Sequence, residues 1–294
     1  MSANPERFES FALRLADAAA GETLGRWARG CAAEDKGGGL DFDPVTDADR
    51  EAERAMRALI EAEHPDHGVA GEEFPDRPAR GPYCWSLDPV DGTRSFTCGL
   101  PNWVTLIALL EDGRPVLGVI DAPCLGERYL GFGASGRLIG SGRGGVLATS
   151  GCTRLSEARL STTDPYFLLG AEADAFDALR REARTTRYGH DGYAYARLAA
   201  GSIDLVVESR LKPYDYNALI PVVRAAGGVF GDWRGGDDYA PGKVIAAATP
   251  ALFEQAVAAM AGVGIACHSR ESGNPASPSL AGERAEAGPP PSLG

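Results

Sequence analysis

The stretch YCWSLDPVDGT, Tyr83 to Thr93, constrains the chain more than any other. Tyr83 to Leu87 reads as a short strand that ends in two carboxylates, Asp88 and Asp91. Pro89 fixes its own backbone angle and pushes Asp88 toward extended geometry. Gly92 permits a sharp bend and leaves bare N–H groups facing outward. Two acids on a stiff turn beside free amides suit a hard divalent cation and a phosphate. Asp, Pro and Gly are also ordinary turn residues, so an acidic surface turn is the competing reading. Against it, an apolar strand carries the first acid straight to the second with no basic residue between them. Spacing alone leaves both readings open.

Composition narrows the classes. The 294 residues suit a large single domain or two lobes, and 44% hydrophobic residues are ample for a core. A formal charge of -12 argues against a nucleic-acid footprint. The six cysteines, Cys31, Cys84, Cys98, Cys124, Cys152 and Cys267, form no CxxC pair. That argues against zinc and a disulfide framework and predicts a reducing, cytoplasmic setting. With only four histidines, any metal site must use oxygen ligands, which favour magnesium, calcium or manganese. No apolar run reaches the roughly eighteen residues of a membrane span, and no apolar signal core opens the chain.

Apolar periodicity predicts a helix over Glu6–Gly30, with Phe8, Phe11, Ala12, Leu15 and Ala19 on one face. Lys36–Gly39 reads as a glycine-rich loop in which Lys36 is either solvated or near a phosphate. A second helix starts at Thr46, where Thr46 and Asp49 match a capping box, so Asp49 has a purely structural explanation. Gly68–Gly71 reads as a strand leading into Glu72-Glu73. Trp103–Leu110 and Arg114–Ile120 flank Asp112-Gly113 as a hairpin, with further strands near Tyr129–Phe132 and Arg137–Ile139. Composition shifts near residue 150. Beyond it the chain alternates: strand Ala158–Thr162, mostly helix over Asp164–Arg181, helix Tyr193–Ala200, strand Ile203–Val207 ending at Glu208, helix Tyr214–Ala226, strand Lys243–Ala248 and helix Pro250–Met260. Such alternation predicts layered α/β architecture. The expected organisation is one domain over residues 1–262, with lobes 1–150 and 151–262. Residues 263–294, rich in Ser, Gly, Pro and Ala, are expected to form a disordered tail.

Asp49, Glu72, Asp88, Asp91 and Asp215 share one habit: each lies where a strand ends or a helix begins. This is the edge on which α/β proteins build their sites. Taken together, GEE at Gly71–Glu73, DPVDGT at Asp88–Thr93 and the PYD-to-AAGG segment Pro213–Gly228 resemble the inositol monophosphatase family. The resemblance covers roughly residues 5–262. It implies a layered αβαβα sandwich, of the inositol monophosphatase and fructose-1,6-bisphosphatase type. It also implies a magnesium-dependent phosphomonoesterase, and a homodimer is common among relatives. DGTRSF, GLPNWVTLIALL, DGRPVLGVID and LKPYDYNALIPVVRAAGG look most like the branch acting on L-histidinol phosphate.

By that resemblance one magnesium is held by Glu72, Asp88 and the carbonyl of Val90, and a second by Asp88, Asp91 and Asp215. A weaker third uses Glu72, with Asp49 through water. Thr93 is the candidate for orienting the attacking water, with Asp49 accepting from its hydroxyl and Glu72 completing the catalytic set. The N–H groups of Gly92 and Thr93 are expected to hold the phosphate, and Asp91 and Asp215 are expected among the substrate-binding residues. Arg94 either contacts substrate or neutralises nearby acids. An ammonium-bearing substrate needs an acid, for which Glu208 and Asp191 are candidates, Asp191 being equally an N-cap. Gly189 and His190 fall in the loop that touches the leaving group in relatives, although that branch more often has a small residue at His190. Arg184 and Arg187 reach the pocket or a partner subunit, or are simply solvated. Three functions stay in view: L-histidinol phosphatase; a phosphatase of inositol, sugar or nucleotide phosphates; and a non-catalytic metal-binding regulatory protein.

Overall fold

A computed structural model describes residues 5–30, 34–35, 44–140 and 144–266. Lys36–Gly39, Cys31, Cys267 and the expected tail beyond residue 266 lie outside the described residues. Helix α1 (Pro5–Arg29) precedes a two-residue pair, β1 (Glu34–Asp35) with β2 (Pro44–Val45), and then α2 (Asp47–Glu63). Strands β3 (Gly68–Gly71) and β4 (Tyr83–Asp91) run parallel. After the short α3 (Thr93–Thr97) come β5 (Val104–Glu111), β6 (Arg114–Ala122), β7 (Glu127–Phe132), β8 (Ser135–Gly140) and β9 (Gly145–Val146). Strands β3 to β9 lie in sequence order in a 7-stranded sheet, antiparallel from β4 onward.

The second half supplies β10 (Arg159–Thr162), α4 (Ala171–Glu182), β11 (Thr185–Tyr188), α5 (Asp191–Ala199) and β12 (Leu205–Glu208). Then follow α6 (Pro213–Tyr216), α7 (Leu219–Ala225), β13 (Val229–Asp232), β14 (Val244–Ala247) and α8 (Pro250–Ala266). The 5-stranded sheet has the order β11-β10-β12-β14-β13.

Period-two alternation along the strands builds the layers. Ile107 and Leu109 of β5 pack with Trp85 and Leu87 against Phe11, Leu15, Met56 and Ile60 of α1 and α2. Val104, Leu106 and Ala108 of the same strand face the middle helices, where Ala194, Leu198, Leu219 and Val222 meet Val206 and Ala246 of the second sheet. Leu205, Val207, Ile245 and Ala247 point the other way, onto α4 and α8. The result is the αβαβα sandwich expected from the sequence. Close approach in the middle layer depends on glycine. A Cβ at Gly131 would lie 2.5 Å from the Cα of Val222, so α7 can settle directly on β6 and β7.

Several expected elements differ in detail. The helix expected over Tyr214–Ala226 breaks at Asn217-Ala218, because Pro221 has no N–H to offer the Asn217 carbonyl. Asp164–Arg181 opens with a 3₁₀ turn, Pro165–Phe167, before Gly170 (φ 56°) and α4. The last helix runs to Ala266 rather than dissolving near Gly262, since an established helix propagates through single glycines. Strand β4 continues past Leu87 through both acids, with a register shift between Asp88 and Asp91.

Candidate active site

The bulge at the end of β4 turns two acids toward one side. Asp88 is buried at 2% exposure and caps its own turn, accepting from the Val90 N–H at 3.1 Å. Gly92 takes the left-handed conformation, φ 87°, and starts α3. From the other half, Asp215 stands in the first turn of α6 and accepts from the Lys212 N–H at 2.6 Å. Carboxylate oxygens of Asp88, Asp91 and Asp215 all lie within 4.8 Å of one another. Burial raises all three above the usual carboxylate range, and the neighbouring acids add to it; Asp215 is pushed up to about 7. The charge of Glu72 is felt by each of them.

A cavity of about 280 Å³ opens on this cluster. Glu72, Asp91, Gly92, Thr93, Arg94, Asp191, Glu208 and Asp215 line it together. Glu208, at the end of β12, accepts from the Thr163 N–H at 2.7 Å and the Thr163 hydroxyl at 2.9 Å. Burial still pushes its carboxyl up to about 8. Asp191 has φ 46°, an unusual conformation for a side chain larger than glycine, and burial pushes its carboxyl up to about 6. Gly192 N–H donates to Asp91, which ties α5 to β4. Arg94 stacks over Phe167 at 4.7 Å and approaches Asp164 at 3.5 Å.

Some expected roles change. Asp49 does not accept from Thr93: its Oδ2 takes the Thr46 N–H at 2.9 Å and the Thr46 hydroxyl at 2.6 Å, the capping box of α2. The Thr93 hydroxyl instead donates to the Val90 carbonyl at 3.0 Å, the nearest acceptor across the tight turn. Asp49 is buried, and its charge reaches Asp88. Asp191 is the first residue of α5 rather than its N-cap, a position held by His190. Gly189 and His190 are absent from the cavity wall. The Gly189 carbonyl accepts from Asn102 at 2.7 Å, and His190 Nδ1 lies 3.3 Å from the Ser161 hydroxyl. Arg184 lines a separate hollow with Arg159 and Asp204. Thr163, Phe167, Tyr195, Ser209, Arg210, Lys212 and Tyr214 line the acidic cavity without having been singled out by sequence. Tyr195 was hidden as one more apolar residue of α5, and Ser209 and Lys212 as ordinary loop residues.

The donor set is uniformly hard: carboxylates, with the Val90 carbonyl close by. Mutual repulsion among crowded acids is relieved by a cation, so these residues fit Mg²⁺ or a similar oxygen-preferring ion. Fold and site together define an αβαβα protein with an acidic cluster at the strand ends that could hold a hard cation. The sequence profile of the Inositol monophosphatase family matches residues 4–264. The chain belongs to the inositol monophosphatase family. It is similar to the bifunctional phosphatase IMPL2 of Arabidopsis thaliana, 44% identical over 66% of this chain, although the match spans only 56% of the plant protein. It is also similar to a histidinol-phosphatase of Chlorobaculum parvum, 36% identical over 75% of this chain and 84% of that one. A solved inositol monophosphatase from Zymomonas mobilis superposes with TM-score 0.77 at 41% identity, covering 89% of this chain and all (100%) of that one.

Proposed function

We propose that the chain is a Mg²⁺-dependent phosphomonoesterase that hydrolyses L-histidinol phosphate to L-histidinol and phosphate. The observation that carries this reading is an acidic trio suited to a cation beside a cavity that further acids line. Asp88, Asp91 and Asp215 suit the cation, while Asp191 and Glu208 line the same cavity as Asp91 and Asp215. A leaving group that carries an ammonium is matched by those two acids, whose raised affinity for protons falls when a cation lies beside them. A neutral polyol gives them no such charge.

When bound, Mg²⁺ neutralises the carboxylates, polarises the phosphate and lowers the pKa of the attacking water. The protein's own residues do the rest. The N–H groups of Gly92 and Thr93 hold the phosphate oxygens. Thr93 Oγ donates to Val90, so its lone pairs accept from the water and aim it. Glu72 takes the water's proton as the new P–O bond forms. The ester P–O bond breaks with its electron pair on the departing alkoxide, which is protonated from solvent. Asp49 acts at a distance, by fixing the start of α2 through its capping box.

The histidinol-phosphatase of C. parvum supports the substrate, and the same reading carries one phosphatase unit over residues 1–262, a homodimer and a cytoplasmic enzyme. No helix among the described residues is long and apolar enough to cross a membrane. A phosphate-release panel decides the substrate. With Mg²⁺, L-histidinol phosphate should be hydrolysed far faster than myo-inositol 1-phosphate, and chelation should stop both. The reverse preference removes the substrate assignment. Mg²⁺ binding without turnover on any phosphomonoester favours a regulatory protein instead.

A further inference from the structure

Of the buried side-chain hydroxyls among the described residues, two have no hydrogen-bond partner: Tyr195 Oη and Ser209 Oγ. Both residues line the acidic cavity, at 1% and 7% exposure. Buried polar atoms are nearly always paired, and an orphan loses hydration with nothing in return. A phenylalanine and an alanine would fill the same space without that penalty.

The ring of Tyr195 is fixed within the middle layer, 5.9 Å from the ring of Phe230. Its hydroxyl is thereby held at the cavity floor, where it feels the charges of Glu208, Asp91 and Asp215. Ser209 follows Glu208 directly at the end of β12. The two orphans thus open on the same cavity as Asp91, Asp191, Glu208 and Asp215, within reach of a phosphate ester bound at the acids.

We propose that Tyr195 Oη and Ser209 Oγ are specificity contacts for the leaving group, accepting from an N–H or O–H on the carbon next to the ester. The natural substrate is then a small phosphate ester with a polar group on that carbon, such as the amino alcohol proposed above, and esters lacking one are discriminated against. The inference rests on the phosphomonoesterase reading and deepens it. Sites with buried hydrogen-bonding groups reject analogues that leave those groups unpaired.

The test is steady-state kinetics of the Mg²⁺-loaded wild type, Tyr195→Phe and Ser209→Ala on L-histidinol phosphate and p-nitrophenyl phosphate. The readout is the ratio of the two kcat/KM values. Each variant should lower that ratio by about 10- to 100-fold, chiefly through KM for L-histidinol phosphate. A ratio unchanged from wild type, whether both rates fall together or neither does, overturns the proposal. If the wild type shows no preference for L-histidinol phosphate, the substrate reading has failed by itself. Myo-inositol 1-phosphate then takes its place as the polar ester, and the same two outcomes judge the subsite.

Discussion

Replacing Gly71 with alanine probes how the fold holds Glu72 at the cavity wall. Gly71 ends β3, one residue before Glu72. A Cβ there would lie 2.5 Å from Cδ and 2.7 Å from Oε2 of Glu53, inside contact distance. Glu53 cannot step aside cheaply. Its side chain is wholly buried, accepting from Arg57 Nε at 2.7 Å and from the Glu73 N–H at 2.8 Å. Hydrogen bonds to a charged group are worth roughly 1.5–3 kcal/mol each. The partly exposed Arg57 recovers some of its loss in water, and alanine stiffens the unfolded chain by about 0.4–1 kcal/mol. The net destabilisation should be about 2–4 kcal/mol, a fall in Tm of about 4–8 °C for a chain of this size. Because Glu73 loses its tether, Glu72 shifts and the apparent Mg²⁺ affinity in phosphate release should weaken. Calorimetry reads the first effect and a Mg²⁺ titration of activity the second. Gly81→Ala, where nothing lies within 4 Å, is the control and should be close to neutral. A Gly71→Ala protein with wild-type Tm and Mg²⁺ dependence would refute the reasoning.

Two further outcomes are expected. Burial holds His67, which accepts from Trp85 Nε1 at 3.1 Å, down to about 4 from its usual 6.5. Between pH 6.5 and about 4 the unfolded chain takes up a proton there that the folded chain refuses, so stability falls as pH falls. In urea unfolding at pH 6.5 and 4.5, His67→Gln should reduce that loss by roughly 1–2 kcal/mol, allowing for partial exposure, and equal losses would contradict it. Asp91→Asn should cut turnover by at least about 100-fold. Without Mg²⁺ its Tm should match or exceed wild type, since one of several crowded, repelling charges is gone; wild-type turnover or a collapsed fold would contradict this.

Much of this architecture can be read from residue patterns. The apolar run before Asp88, the Asp112-Gly113 hairpin and the helical periods of α1 and α2 each have one local solution, and the structure adopts it. What escapes local reading is decided by contacts between distant segments. Glu53 looks like a surface glutamate with an i,i+4 arginine, and only the approach of Gly71 shows it to be buried. Thr93 was expected to donate to Asp49, and the tight turn at Gly92 gives it the Val90 carbonyl instead. The break in front of α7 was legible in Pro221, but the closeness of Asn217 to Ser86, 3.1 Å between side chains, was not. Tyr195 and Ser209 carry no motif, and their interest arises from unpaired hydroxyls facing a shared cavity.

Calorimetric titration of Mg²⁺ into the wild type and into Asp88→Asn, Asp91→Asn and Asp215→Asn, each folded by circular dichroism, bears most directly on whether acids from both halves grip one cation centre. The wild type should bind, and all three variants should lose about 10-fold or more in affinity. Binding by Asp215→Asn that matches the wild type would mean that the second half contributes nothing to the centre.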